Sequence, residues 1–250
     1  MALEGKINGL LIPVPTFVMY KIIGINTGNR VVEVPLDVNY DLDMAALISK
    51  IEENFPALIY LSYPNSPTGN CFNRDKVEAL IKKSPGIVVV DEAYASFSGD
   101  SFLPLLKKYD NLVILKTLSK LGLATLRLGF LIGNRELVAQ LDKVRLPYNV
   151  NSLSQAAAGF FLDYQEEFTA QVNEIITRRE ELYCGLQDIA GIKPYPSRAN
   201  FIFFSCSFAS DRIYKQLAAR GILVKNLHKP PLMPNCMRVT VGNLEENRAF

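Results

Sequence analysis

Val113-Ile114-Leu115-Lys116-Thr117-Leu118-Ser119-Lys120-Leu121-Gly122-Leu123-Ala124-Thr125-Leu126-Arg127-Leu128-Gly129-Phe130 is the stretch around which the rest of the chain falls into place. Val113 to Leu115 reads as a buried strand, and a polar turn then holds Thr117, Ser119 and Lys120. After Gly122 and Arg127 a second apolar run continues through Ile132. Two strands therefore bracket two hydroxyls and two cations. Hydroxyls with an arginine suit a phosphate. A lysine between apolar strands can have its pKa lowered by desolvation, and a neutral amine can attack a carbonyl. Taken alone, the stretch reads equally well as a surface lysine in a turn beside an ion-pairing arginine.

Upstream, strand-like and helix-like runs alternate. Leu10 to Ile12, Val31 to Leu36, Ala57 to Leu61 and Gly86 to Val90 read as strands, the last a continuous run of β-branched apolar residues. Between them, Pro15-Thr16 opens a predicted helix through Ile25, and residues near Asp41 to Asp43 cap one running to about Glu53. Asn73 caps a third helix, with Val77, Leu80 and Ile81 inward. The pattern predicts an α/β fold with a mostly parallel sheet covered by helices. In such sheets ligands bind outside the carboxyl ends of the strands. The rigid turn Tyr63-Pro64-Asn65-Ser66-Pro67-Thr68-Gly69, the acidic end Asp91-Glu92-Ala93-Tyr94 and Lys120 all fall at such ends. Convergence on one rim favours a site over a set of isolated turn residues.

Beyond Gly133 the organisation changes. Glu136 to Val144 and Leu153 to Leu162 read as helices, and a long amphipathic helix runs from about Gln165 to Ile189, ending before Gly191. Asn200 to Phe204, Ile222 to Val224 and Met237 to Val241 read as strands, with a helix over Ser210 to Ala219. The expected division is a large domain over residues 1–164 and a connecting helix with a small α+β domain over 165–250.

The 250 residues are 49% hydrophobic, ample for a large and a small core, and a formal charge of +2 with no basic run points away from nucleic acid. Four widely spaced cysteines read as buried free thiols in a reducing compartment. The lone histidine, His228, excludes a His-rich metal site and sits in what reads as a solvated loop. The apolar patch from Gly9 to Tyr20 is broken by Pro13 and Pro15 and is shorter than the approximately 18 residues of a membrane span. The expectation is a soluble cytoplasmic protein with no membrane partner.

An amine poised for an aldehyde, beside groups that suit a phosphate, describes a site for pyridoxal phosphate. The ordered set Pro15-Thr16-Phe17, Pro64 to Gly69, Asp91 to Tyr94, Thr117 to Lys120, Leu126 to Gly129 and Met237 to Gly242 resembles the fold-type I pyridoxal-phosphate aminotransferases, and most closely the histidinol-phosphate aminotransferases. The likeness covers nearly the whole chain. It implies that Lys120 bonds the cofactor aldehyde and later shuttles the substrate Cα proton. Asp91 would keep the pyridine nitrogen protonated. Tyr94 and Asn65 would reach the phenolic oxygen, Phe17 would stack on the ring, and Ser119 and Arg127 would hold the phosphate. Arg238 would grip the substrate carboxylate or an equivalent anion. Each has an ordinary alternative: a turn or helix cap for Asp91 and Asn65, core packing for Tyr94 and Phe17, and a surface ion pair for Arg238.

The implied activity is transamination between L-histidinol phosphate and 2-oxoglutarate, in histidine biosynthesis, by a homodimer. An aromatic aminotransferase or a phospho-amino-acid decarboxylase would use the same groups. Two departures stand out. The family begins well upstream of residue 1, in a part that would include a sheet strand and a phosphate-binding loop. A remnant without activity is therefore the reading from a different class. Lys225 also stands where the family usually has an arginine facing the substrate phosphate, keeping the charge but losing the planar fork.

Overall fold

The structure, a computed structural model, describes residues 8–250. Its larger sheet is built from β1 (Leu10–Val14), β2 (Val31–Pro35), β3 (Leu58–Ser62), β4 (Ile87–Asp91), β5 (Leu112–Thr117) and β6 (Gly129–Gly133), in the order β2-β1-β3-β4-β5-β6. The first five strands are parallel, and β6 runs antiparallel to β5, pairing Val113 with Gly133 and Thr117 with Gly129.

Alternation along the strands explains the layers. Leu11, Val34, Ile59, Leu61, Val88, Val90, Leu112 and Ile114 face one core, which α2 (Met44–Asn54) and α3 (Arg74–Lys83) cover with Leu47, Ile51, Val77, Leu80 and Ile81. Leu10, Ile12 and Val14 face the other side, with Tyr20 from α1 (Met19–Asn26) and with Tyr60. Asp43 and Asn73 cap α2 and α3 as the sequence predicts. Helix α1 starts later than predicted. The Thr16 hydroxyl donates to Asn65 Oδ1 at 3.0 Å, outside the helix, and no side chain caps the helix at Val18.

After β6 come α4 (Arg135–Asp142), α5 (Ser152–Asp163) and the long α6 (Gln165–Gln187). The second sheet follows, in the order β7-β8-β10-β9, from β7 (Ile192–Pro194), β8 (Phe201–Cys206), β9 (Lys225–Asn226) and β10 (Cys236–Thr240), with α7 (Ser210–Ala219) and α8 (Leu244–Ala249). It is antiparallel throughout. Leu182 and Leu186 of α6 pack on Ile202, Phe204, Met237 and Val239.

The predicted strand over Ile222 to Val224 is not one. The Ile222 N–H returns to Leu217 O, closing the end of α7, and pairing with β10 begins only at Lys225. Strand β7 was not predicted, being three residues long and ending in proline. The cysteines are all free, but Cys184 is exposed and Cys71 only partly covered, so the expectation of buried thiols holds for Cys206 and Cys236. His228 is exposed as expected, yet its Nδ1 accepts the Asn235 N–H at 2.9 Å and ties its loop closed. No helix among the described residues is long and apolar enough to cross a membrane.

The second sheet meets the carboxyl-end loops of the first. Arg179, buried in α6, donates from Nη1 to Phe97 O and Ala199 O, both at 3.2 Å. Gly69 has φ +79° and its Cα faces the Ser197 side chain so closely that a Cβ would lie 2.7 Å from Ser197 Oγ. The positive φ and the Ser197 side chain together favour glycine there.

Candidate active site

Asp91 closes β4, where the buried valine run meets the rim. Its Oδ2 accepts the Tyr20 hydroxyl at 2.7 Å, and its Oδ1 accepts the Ala93 N–H at 3.0 Å. Burial pushes the Asp91 carboxyl above the ordinary carboxylate range. The Tyr20 and Ala93 hydrogen bonds and the nearby Lys120 charge pull it back, and neighbouring Glu92 pushes it further up. Glu92 itself belongs to the scaffold. It is buried, accepts from Ser101 Oγ and from the Phe102 N–H at 2.6 Å, and pairs with Lys116 at 2.8 Å.

Lys120 sits in the turn after β5, its Nζ 5.1 Å from the centroid of the Tyr94 ring. Upstream in the same turn, Thr117 Oγ1 donates to Ser119 Oγ at 2.9 Å and accepts the Ser119 N–H at 3.1 Å, which fixes the serine hydroxyl beside the lysine. Arg127 is exposed and left-handed, with φ 53°, and its Nη1 donates to Ala124 O at 3.2 Å. A non-glycine residue held in that conformation marks a position where the surrounding loop sets the backbone.

The loop from Pro64 to Gly69 behaves differently from its sequence reading. Asn65 is fully buried, and its Nδ2 donates both to Pro15 O at 2.9 Å and to Thr68 Oγ1 at 2.7 Å. An amide nitrogen carries two donors, so none is left for a phenolic oxygen. Asn65 thus braces the loop against the segment after β1. The next residue, Ser66, turns instead toward the second sheet, and its Oγ accepts from Arg238 Nη1 at 3.2 Å.

From that sheet, Arg238 lies over the Phe201 ring at 4.6 Å, and Phe201 packs edge-on against Tyr94 at 5.1 Å. Contacts therefore run without a break from Lys120 through Tyr94 and Phe201 to Arg238 and Ser66. Arg238 Nε is buried with no hydrogen-bond partner among the described residues. A buried guanidinium N–H left open is costly unless a ligand oxygen meets it. Lys225 is paired with Arg238 across β9 and β10 and is exposed. Phe17 is 44% exposed, and its ring meets that of Tyr20 in a T-shaped contact at 5.5 Å. Sequence reasoning passed over Tyr20, Ser66 and Phe201. Tyr20 lies one helical turn from Phe17, a spacing that signals a shared face. Ser66 stood among the polar groups of the rigid turn but received no role, and Phe201 carried no local signal.

The donor set suits pyridoxal phosphate: a buried carboxylate for a cationic ring nitrogen, an amine beside it, and a serine and an arginine for phosphate. Residues 2–250 match the family model of the class I and II aminotransferases. The chain is 43% identical over 252 residues to histidinol-phosphate aminotransferase 2 of Nitrosococcus oceani, a match that covers 100% of this chain and 70% of that protein. The crystal structure of the histidinol-phosphate aminotransferase from Clostridium acetobutylicum superposes with a TM-score of 0.90 at 25% identity, covering 97% of this chain and 77% of that one. The Sinorhizobium meliloti histidinol-phosphate aminotransferase, crystallised in complex with pyridoxal-5'-phosphate, shares the fold at TM-score 0.87 and 23% identity, over 98% of this chain and 68% of that one.

Proposed function

From the premise that the chain belongs to the class I and II aminotransferase family, we propose that it transfers an amino group between L-histidinol phosphate and a 2-oxo acid, 2-oxoglutarate, with pyridoxal phosphate as cofactor. The observation that carries this reading is the unbroken run of contacts from Lys120 to Arg238. It supports the reading by joining Lys120, the amine proposed for the reacting carbon, to Arg238, the cation proposed for a substrate anion, through the rings of Tyr94 and Phe201.

When bound, the cofactor supplies an aldehyde and an electron-withdrawing ring. The remaining work falls to residues of this chain. Lys120 provides the amine and moves the proton at the substrate Cα. Asp91 holds the proton of the ring nitrogen. Ser119 and Arg127 hold the cofactor phosphate, and Phe17 covers the ring. Tyr94 serves the phenolic oxygen, and Ser66 takes the share first assigned to Asn65. Arg238 and Lys225 receive the anionic groups of the substrate. We further propose a homodimer. In support, Phe130 and Leu131 on β6, the edge strand of the larger sheet, and Leu153 and Phe160 on α5 are exposed apolar residues.

The test is product analysis with the purified chain, pyridoxal phosphate and 2-oxoglutarate. Glutamate and a keto product from histidinol phosphate support the reading. No product from histidinol phosphate, with turnover of another amino donor, removes the substrate assignment. A monomer by light scattering counts against the homodimer.

A further inference from the structure

We propose that Tyr20 is a positioning residue that keeps the Asp91 carboxylate ionised and aimed, so that Asp91 can hold the proton of a cationic ring nitrogen. The inference rests on the pyridoxal-phosphate reading above. It arises from a hydrogen bond between residues 71 apart in the chain, from the first turn of α1 to the end of β4.

Asp91 is faced by Tyr20 from α1, Tyr60 from β3, Glu92 beside it and Lys120 from the turn after β5. Of these, Tyr20 is the side chain that donates a hydrogen bond to it. The Ala93 N–H takes the other oxygen, so each carboxylate oxygen is held once and keeps a free lone pair. A carboxylate buried without such donors would tend to take up a proton. A neutral Asp91 could not hold a positive ring nitrogen. Burial and the Asp91 charge both push the Tyr20 hydroxyl well above its ordinary range, so it stays a donor. Its ring is clamped between a stack on Tyr60 at 4.9 Å and an edge contact with Phe17 at 5.5 Å. The donor is therefore held in place before any ligand arrives.

The experiment compares the parent chain with Tyr20→Phe and Tyr60→Phe, each first checked for cooperative thermal unfolding. The Asp91 carboxyl is titrated by carbon NMR without cofactor, its signal assigned with Asp91→Asn, and pyridoxal phosphate affinity is measured by fluorescence. Losing one charge-assisted hydrogen bond in Tyr20→Phe should move the Asp91 midpoint to higher pH, about tenfold lower proton concentration, and weaken cofactor binding about tenfold. Tyr60→Phe should do neither. A 3-fluorotyrosine installed at position 20, a stronger donor, should move the midpoint the opposite way, and it keeps the test open should Tyr20→Phe not fold. An unmoved midpoint, equal shifts in both phenylalanine variants, or a moved midpoint with unchanged cofactor affinity overturns the proposal. A parent that binds no pyridoxal phosphate removes the cofactor reading, while the cofactor-free titration still decides whether Tyr20 governs Asp91.

Discussion

Lys225 stands directly opposite Arg238 in the short pairing of β9 with β10, which places both cations on one face of the second sheet. Directly opposed side chains of an antiparallel pair sit close enough to act on one ligand. Like charges so placed repel one another, and an anion between them relieves that. Arg238→Lys keeps the charge and loses the fork, and should raise KM for the amino donor about tenfold or more with a smaller change in kcat. Lys225→Met should raise KM for a phosphorylated donor while leaving a donor without phosphate nearly unaffected. Steady-state kinetics with paired donors reads both, and equal effects on the two donors would remove the phosphate role from Lys225.

Lys120→Ala should abolish transamination, with a loss of at least about 10²–10⁴-fold from the proton transfer alone. It should also remove any visible absorption band that pyridoxal phosphate produces with the parent. A band that survives the substitution would place the bonded lysine elsewhere.

Asp91→Asn should separate stability from activity. The folded chain holds the Asp91 carboxyl above its ordinary range, chiefly by burial. A raised carboxyl means that the folded state binds the proton more tightly than the unfolded one. Its contribution is therefore most favourable below the unfolded value, about 3.9, and is lost as pH rises through the folded value. Without cofactor, Asp91→Asn should melt above the parent at pH 7, the difference closing toward about pH 4. Activity should fall about 10²–10⁴-fold. A cofactor-free variant that melts below the parent at pH 7 would show that its hydrogen bonds outweigh the cost of the buried charge.

Asn65→Ala tests whether Asn65 braces the loop. Its amide bonds Pro15 O, Thr68 Oγ1 and the Thr16 hydroxyl, all within the protein. Removing it should cost about 1–3 kcal/mol of stability without cofactor, from buried partners left unpaired. Urea unfolding of the cofactor-free chain measures this. A loss confined to cofactor affinity would return Asn65 to the cofactor.

Glu92→Ala should be the most damaging of these changes to stability, since it strands Lys116, Ser101 and the Phe102 N–H around a buried vacancy. The expected cost is about 3–5 kcal/mol, the scale for breaking a buried ion pair by removing one partner. A change below about 1 kcal/mol would mean that water replaces the carboxylate.

Local pattern carried the larger sheet. Continuous valines at Val88 to Val90 read as a parallel strand buried on both faces, and that is where they lie. Asp43 and Asn73 announced their helices because a cap and its helix are neighbours in the chain. The rim was legible for the same reason: strand ends, turns and their polar residues are all local, so Asp91, Ser119 and Lys120 could be placed at strand ends before any tertiary contact was known. Pairings across the chain had no such signature. Ser66 meets Arg238 across 172 residues, and Tyr20 of α1 meets Asp91 at the end of β4 across 71. Which of two adjacent polar residues, Asn65 or Ser66, faces the cleft depends on how the loop's amide groups are satisfied by partners far away in sequence. Side-chain periodicity assigns a residue to a face, but its hydrogen-bond partner is settled by the packing of whole elements, and that packing exists only once the chain has folded.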